Sequence, residues 1–147
     1  MDINIDTSPE KEILVFDSSF LVALLYDKDS LHLPAKKLGY EIDNVEMLPD
    51  FIISETATVL RNKVSAEFSD NFVKIFTNTQ DVEIQFFNTE FRVFCDEFMN
   101  LENKNLSFVD ASLLALHKTG KYRVVTFDKN LKKLIEKFDK TKSRSKK

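Results

Sequence analysis

Four carboxylates stand out as residues able to do chemistry together: Asp17, Glu55, Asp110 and Asp128. Three come directly after segments with the composition of buried strands. Asp17 follows Ile13–Phe16, Glu55 follows Phe51–Ile53 by one serine, and Asp128 follows Val124–Thr126 by one phenylalanine. Asp110 falls in the first turn of the helix that leads into the last of these strands. Parallel sheets bind ligands beyond the carboxyl ends of their strands, so all four acids are expected at one edge. Crowded carboxylates repel, and each raises the others' pKa unless a cation intervenes. Hard divalent ions prefer oxygen ligands, and Mg²⁺ takes one or two carboxylates plus water and phosphate. Such an ion lowers the pKa of bound water and offsets charge on a leaving oxygen. The chemistry expected is metal-assisted phosphodiester hydrolysis. With neither Cys nor His beside the acids, zinc does not suit the set.

Taken singly, each acid has a plainer explanation. Asp17 and Asp128 are good N-caps, and acids near a helix start complement its dipole. Ser107-Phe108-Val109-Asp110 has the form of a capping box with Asp in place of Glu or Gln. Capping does not explain why four acids share one edge with so little basic compensation. Arg61, Lys63 and Arg123 are the nearest candidates in sequence.

The elements that must position these acids alternate along the chain. Ile13–Phe16 is a continuous apolar run, as expected of a strand buried on both faces. Asp17-Ser18-Ser19 opens a helix, and a second begins near Pro34 and runs towards Gly39. Phe51–Ile53 is expected as the second strand, with a helix from Ser54 to Lys63. Phe68, Phe72, Ile75 and Phe76 mark another helix, and Val82, Ile84 and Phe86 a third strand. Phe91, Phe94, Cys95, Phe98 and Leu101 trace a helical stripe read as core, and a further helix runs from Ser107 to Thr119, stopped by Gly120. Val124–Thr126 is the fourth strand, and a helix from Asp128 to Phe138 closes the fold. Strands separated by helices imply right-handed βαβ units. The expected domain spans residues 13–138, after a polar lead-in at 1–12 and before a basic, disordered tail at 139–147.

Composition narrows the function classes. The 147 residues carry a net charge of −3, with 43% hydrophobic and 31% charged residues, an ordinary balance for a globular domain. Residues 137–147 hold six Lys or Arg against one Asp, a balance of +5, which leaves −8 for residues 1–136. An acidic body can gather cations while a basic end attracts phosphate. The single Cys95 excludes an internal disulfide and, with no signal peptide apparent, points to a reducing cytoplasm. The apolar runs are too short to span a bilayer. Only Gly39 and Gly120 are present, so a phosphate-binding glycine loop is excluded. His32 and His117 read as structural or solvated, and the 14 phenylalanines as core rather than base-stacking platforms.

Four segments, ILVFDSSFLVALL, FIISETATVL, LSFVDASLLALHK and VVTFDKNL, occur in the order and at the separations found in PIN domains. The chain resembles that family, particularly its VapC-type toxins, from about Ile13 to Leu134. The resemblance implies an α/β fold, a three-layer α/β/α sandwich around a mainly parallel sheet of four to five strands. It implies that Asp17, Glu55 and Asp110 form the principal acidic triad. Asp128 matches a fourth, more variable acid, and Ser19 and Thr126 match hydroxyl positions that order the site or contact phosphate. The implied activity is endoribonuclease cleavage assisted by Mg²⁺ or Mn²⁺, and the implied partners are RNA, a small antitoxin and a second copy of the chain. Ser18 departs from the threonine that many members carry at that position.

Two alternatives belong to other classes. A non-catalytic PIN-like module would bind RNA or protein through its surface and ignore EDTA. A phosphotransfer domain built on Asp17 would need a second Asp two residues on, where this chain has Ser19.

Overall fold

The computed structural model describes residues 13–41, 46–78 and 84–145. Eleven elements alternate within these residues. Strand β1 (Ile13–Phe16) leads through Asp17 into α1 (Ser18–Leu25), followed by α2 (His32–Glu41), β2 (Glu46–Pro49) and α3 (Asp50–Lys63). Then come α4 (Ala66–Asn78), β3 (Ile84–Gln85), α5 (Phe91–Asn100), α6 (Phe108–Lys118), β4 (Tyr122–Val125) and α7 (Lys129–Ser145).

The four strands form one parallel sheet in the order β3-β2-β1-β4. Central β1 pairs Val15 with Met47 of β2 on one side and with Val124 of β4 on the other. The chain thus leaves β1 towards β2 and returns on the opposite side as β4. That reversal places a crevice at the carboxyl ends of β1 and β4, which is where Asp17 lies. Helices pack in two groups, α1 with α2 and α3, and α6 with α5 and α7, in a sandwich about the sheet.

The main core joins Val15 of the sheet to Phe20, Ile52, Leu113, Leu116 and Leu131, all essentially inaccessible to solvent. Burying each such side chain stabilises the fold by about 1.5–3 kcal/mol. A smaller cluster of Val22, Leu60 and Phe72 holds α4 against α3 and α1.

Three expectations are corrected. Phe51–Ile53 is not a strand; the second strand lies just upstream at Glu46–Pro49, and Phe51–Ile53 fall in the first turn of α3. The cause is the period of the burial: Ile52, Thr56 and Leu60 are the buried residues of α3, at helical spacing. Pro49 serves as the N-cap residue of α3, and its fixed φ suits that entry. The last helix continues past Phe138 to Ser145, because Lys and Arg are good helix formers. The stretch 139–145 is therefore helical. Finally, Phe86, Phe91 and Phe98 are 60%, 55% and 41% exposed. Phe91 and Phe98 each pack against Phe108, with ring centres 5.7 and 5.4 Å apart. Of the expected third strand, Ile84 is in β3, Phe86 follows it, and Val82 lies outside the described residues, as do residues 1–12.

Candidate active site

Asp17 is the anchor of the site and is only 3% exposed. Its backbone N–H donates to the Val125 carbonyl at 2.9 Å, carrying the β1–β4 pairing one residue past the strand. Its side chain caps α1: Oδ1 accepts the Ser18 N–H at 2.7 Å. Oδ2 accepts the hydroxyls of Ser19 at 2.9 Å and Thr126 at 2.6 Å. Those hydroxyls also hold the segment after β4, since Ser19 Oγ accepts the Phe127 N–H and Thr126 Oγ1 accepts the Asp128 N–H. Two short hydroxyl side chains thereby fasten the chain ends of β1 and β4 together at Asp17.

The other three acids are fastened in a common way, each through one oxygen. Glu55, in the second turn of α3, accepts the Ser18 hydroxyl on Oε2 at 2.7 Å. Asp110 accepts the Ser107 N–H on Oδ2 at 3.0 Å while Ser107 Oγ accepts the Asp110 N–H, a complete capping box. Asp128 accepts the Leu131 N–H on Oδ1 at 2.9 Å and so caps α7. Among the described residues no hydrogen bond reaches Glu55 Oε1, Asp110 Oδ1 or Asp128 Oδ2. None of these three oxygens is a buried orphan, so each is open to solvent. One oxygen locks the rotamer, and the other remains available to a ligand.

All four acids line a single cleft of about 690 Å³. The electrostatics agree with that grouping. Burial pushes the Glu55 carboxyl above the usual glutamate range; the Ser18 hydroxyl opposes this, and the charges of Asp17, Asp110 and Asp128 reinforce it. Burial likewise raises Asp110, against the two Ser107 hydrogen bonds and with the charges of Asp17 and Asp128. Little cation is at hand to relieve this repulsion. Lys63 lines the cleft but is paired with Asp29, whose carboxyl it holds below the ordinary range. Arg61 is paired with Asp70 on the surface. Lys129, at the start of α7, also lines the cleft.

Among the described residues no three Asp, Glu, His or Cys side chains close into a tight metal cage. An open cleft with a few available carboxylate oxygens fits Mg²⁺ or Mn²⁺ better than such a cage would. Mg²⁺ keeps several waters and uses only one or two carboxylates besides phosphate oxygens. The donor set is all oxygen, and burial, reinforced by neighbouring negative charge, raises the Glu55 and Asp110 carboxyls, an effect that a bound cation would oppose.

The residues singled out from sequence thus come together: Asp17, Glu55, Asp110 and Asp128 on the cleft, with Ser19 and Thr126 bonded to Asp17. Sequence reasoning missed the role of Ser18, whose backbone N–H holds Asp17 and whose hydroxyl holds Glu55. Its partner is 37 positions away, and no local spacing signals such a bond. Neither histidine is at the site. His32 Nδ1 lies 2.8 Å from the Ala23 carbonyl, and His117 pairs with Asp139 at the other end of α6.

Comparison with known proteins gives two findings. A family model, the PIN domain, matches residues 14–137. Among solved structures, Mycobacterium tuberculosis VapC20, described as a Sarcin-Ricin loop cleaving toxin, is similar with a TM-score of 0.70. That likeness covers 81% of this chain and 92% of VapC20, at 21% sequence identity. No curated protein sequence matches. No helix among the described residues is long and apolar enough to cross a membrane.

Proposed function

This chain belongs to the PIN-domain family, and on that footing we propose that it is a Mg²⁺- or Mn²⁺-dependent endoribonuclease. The observation that carries the proposal is the paired state of the acids. Glu55, Asp110 and Asp128 each spend one oxygen on the scaffold and offer the other to the cleft that Asp17 floors.

We assign Asp17 and Asp110 to hold the metal, with Glu55 sharing it or positioning the attacking water and Asp128 supporting a second ion or an outer water. A divalent ion bound there would lower the pKa of an attacking water and offset charge on the leaving oxygen. The chain's own groups do the rest. Ser19 and Thr126 act mainly by fixing Asp17, because both hydroxyls point to its Oδ2. Glu55, with a raised pKa and a free Oε1, is the group suited to orient the water and take its proton. Anchoring of all four carboxylates removes side-chain freedom before substrate arrives.

We further propose a toxin of a toxin–antitoxin pair, in keeping with the fold likeness to VapC20, itself described as a Sarcin-Ricin loop cleaving toxin; a homodimer, a small antitoxin partner and a cytoplasmic setting are part of that proposal. The test is cleavage of total RNA by wild type and Asp17→Asn, with Mg²⁺, Mn²⁺ or EDTA. Cleavage is expected only with metal and only for wild type. Wild-type cleavage rates in Asp17→Asn, or in EDTA, would overturn the assignment.

One observation favours the alternative of a non-catalytic RNA- or protein-binding module. Asp17, Asp110 and Asp128 all cap helices, so their presence has a structural cause independent of chemistry. Glu55 has no such duty. Loss of RNA cleavage in Glu55→Gln with no fall in melting temperature separates the two.

A further inference from the structure

Helix α7 begins at the acidic cleft, where Lys129 lines the wall, and runs away from it to Ser145. Its apolar side, Leu131 with Leu134, Ile135 and Phe138, faces the body of the protein. On the opposite side Lys129, Lys133, Lys137, Lys140 and Arg144 are all exposed. Their spacing of four, four, three and four residues puts them on one stripe of a 3.6-residue helix. At 1.5 Å per residue the stripe is about 22 Å long.

A stripe of this kind is expensive for an isolated helix, because like charges three or four residues apart repel by a few tenths of a kcal/mol per pair. Ordinary solvated helices relieve this with interleaved acids. Here Asp139 is drawn aside to His117 at 2.8 Å, which leaves Glu136, three residues after Lys133 and four before Lys140, as the single acid bordering five cations. Among the described residues only Lys137 of the five has an ion-pair partner, Glu102 at 3.8 Å, with both side chains largely exposed. Such a pair contributes little. Residues 1–136 are meanwhile strongly acidic as a whole, so the cleft itself repels a polyanion.

We infer that the Lys129–Arg144 stripe of α7 is a docking track for the phosphate backbone of RNA, leading the strand to the acidic cleft. The inference rests on the ribonuclease assignment for its direction: substrate charge is neutralised along α7, outside the site whose carboxylates would otherwise reject it. The five cations recur about every 5 to 6 Å along the helix, and each can neutralise one backbone phosphate. RNA is favoured over an acidic protein because the cations are evenly spaced, carry one sign and run continuously into the cleft.

The test is binding of a labelled RNA hairpin to full-length protein in EDTA, measured by fluorescence anisotropy over a range of salt. Lys133→Gln/Lys140→Gln/Arg144→Gln is expected to weaken binding roughly tenfold or more. It should also flatten the slope of log K against log salt by about 2 to 3. Lys133→Arg/Lys140→Arg/Arg144→Lys should retain the wild-type slope. The charge-matched control Lys36→Gln/Lys37→Gln/Lys74→Gln, on exposed positions of α2 and α4, should bind as wild type does. Equal weakening in that control would reduce the effect to net charge and overturn the track. Wild-type affinity and slope in the stripe variant would do the same, as would tighter binding of charge-matched poly-glutamate than of RNA. None of these results depends on cleavage, so absence of nuclease activity beside an intact salt effect would fault the nuclease assignment alone.

Discussion

The Ser18 hydroxyl donates to Glu55 Oε2 at 2.7 Å and so ties the start of α1 to the second turn of α3. The same residue's backbone N–H is held by Asp17. Ser18 therefore sets the relative position of two carboxylates that belong to different elements. Ser18→Ala should lower stability by about 1 kcal/mol, read as a fall of roughly 2–4 °C in melting temperature for a chain of this size. It should lower kcat/KM by about tenfold, a change of roughly 1.4 kcal/mol in barrier. Ser18→Thr keeps the hydroxyl and should restore most of both. Unchanged cleavage in Ser18→Ala would show that Glu55 does not need this tether.

Thr126 presents the sharpest structural test. Its hydroxyl donates to Asp17 Oδ2 at 2.6 Å and accepts the Asp128 N–H at 2.9 Å. Thr126→Val preserves shape and removes both bonds, leaving a nearly buried carboxylate oxygen one donor short. A loss of about 2–3 kcal/mol is expected in denaturant titration, with cleavage reduced in parallel. Thr126→Ser should behave close to wild type.

The contribution of Glu55 and Asp110 to metal-free stability should fall as pH rises through the carboxylate range. The sign follows from the raised pKa values of Glu55 and Asp110. Between the unfolded and the folded pKa the native state binds more protons than the unfolded state, so raising pH disfavours folding. Asp110→Asn keeps an oxygen for the Ser107 N–H while removing the charge. In EDTA at neutral pH it should melt higher than wild type, and its melting temperature should change less with pH. Added Mg²⁺ should stabilise wild type more than the variant. A variant that melts lower than wild type in EDTA would mean that the cap outweighs the repulsion.

Asp29 moves in the opposite sense. The Lys63 hydrogen bond lowers its pKa, so the pair adds stability above the unfolded aspartate pKa, and that stability is lost as pH falls through the folded one. Lys63 is about half exposed, which limits the effect to within roughly 1 kcal/mol. Lys63→Met should destabilise at neutral pH and match wild type in acid. A deficit equal at both pH values would point to packing of the lysine stem instead.

Much of this site could be read from the chain because its anchors are local. Asp17 beside an apolar strand, the Ser107–Asp110 box and Asp128 before a helix are all short-range patterns, and each is present. Where the reading failed, the deciding contacts were distant or the pattern too short. Phe51–Ile53 is an apolar triplet that fits a strand or a helix equally well, and only the recurrence at Thr56 and Leu60 decides for a helix. Glu55 lines the cleft with the other acids, although the residues before it belong to its own helix and not to a strand. Ser18 could not be found at all without the fold, since its bond to Glu55 joins separate segments. The extension of α7 was hidden by charge: the same lysines that suggested a loose tail cover the outer side of a helix whose inner side is apolar.

The double duty of the acids bears on how such a protein could change with descent. Asparagine caps a helix about as well as aspartate does, and it can take the same backbone hydrogen bonds at positions 17, 110 and 128. At Asp110, whose side chain takes only the Ser107 N–H among the described residues, an Asp→Asn exchange would remove a charge from the cleft while leaving the architecture nearly intact. A lineage built on this scaffold can therefore abandon cutting and keep gripping, one substitution at a time.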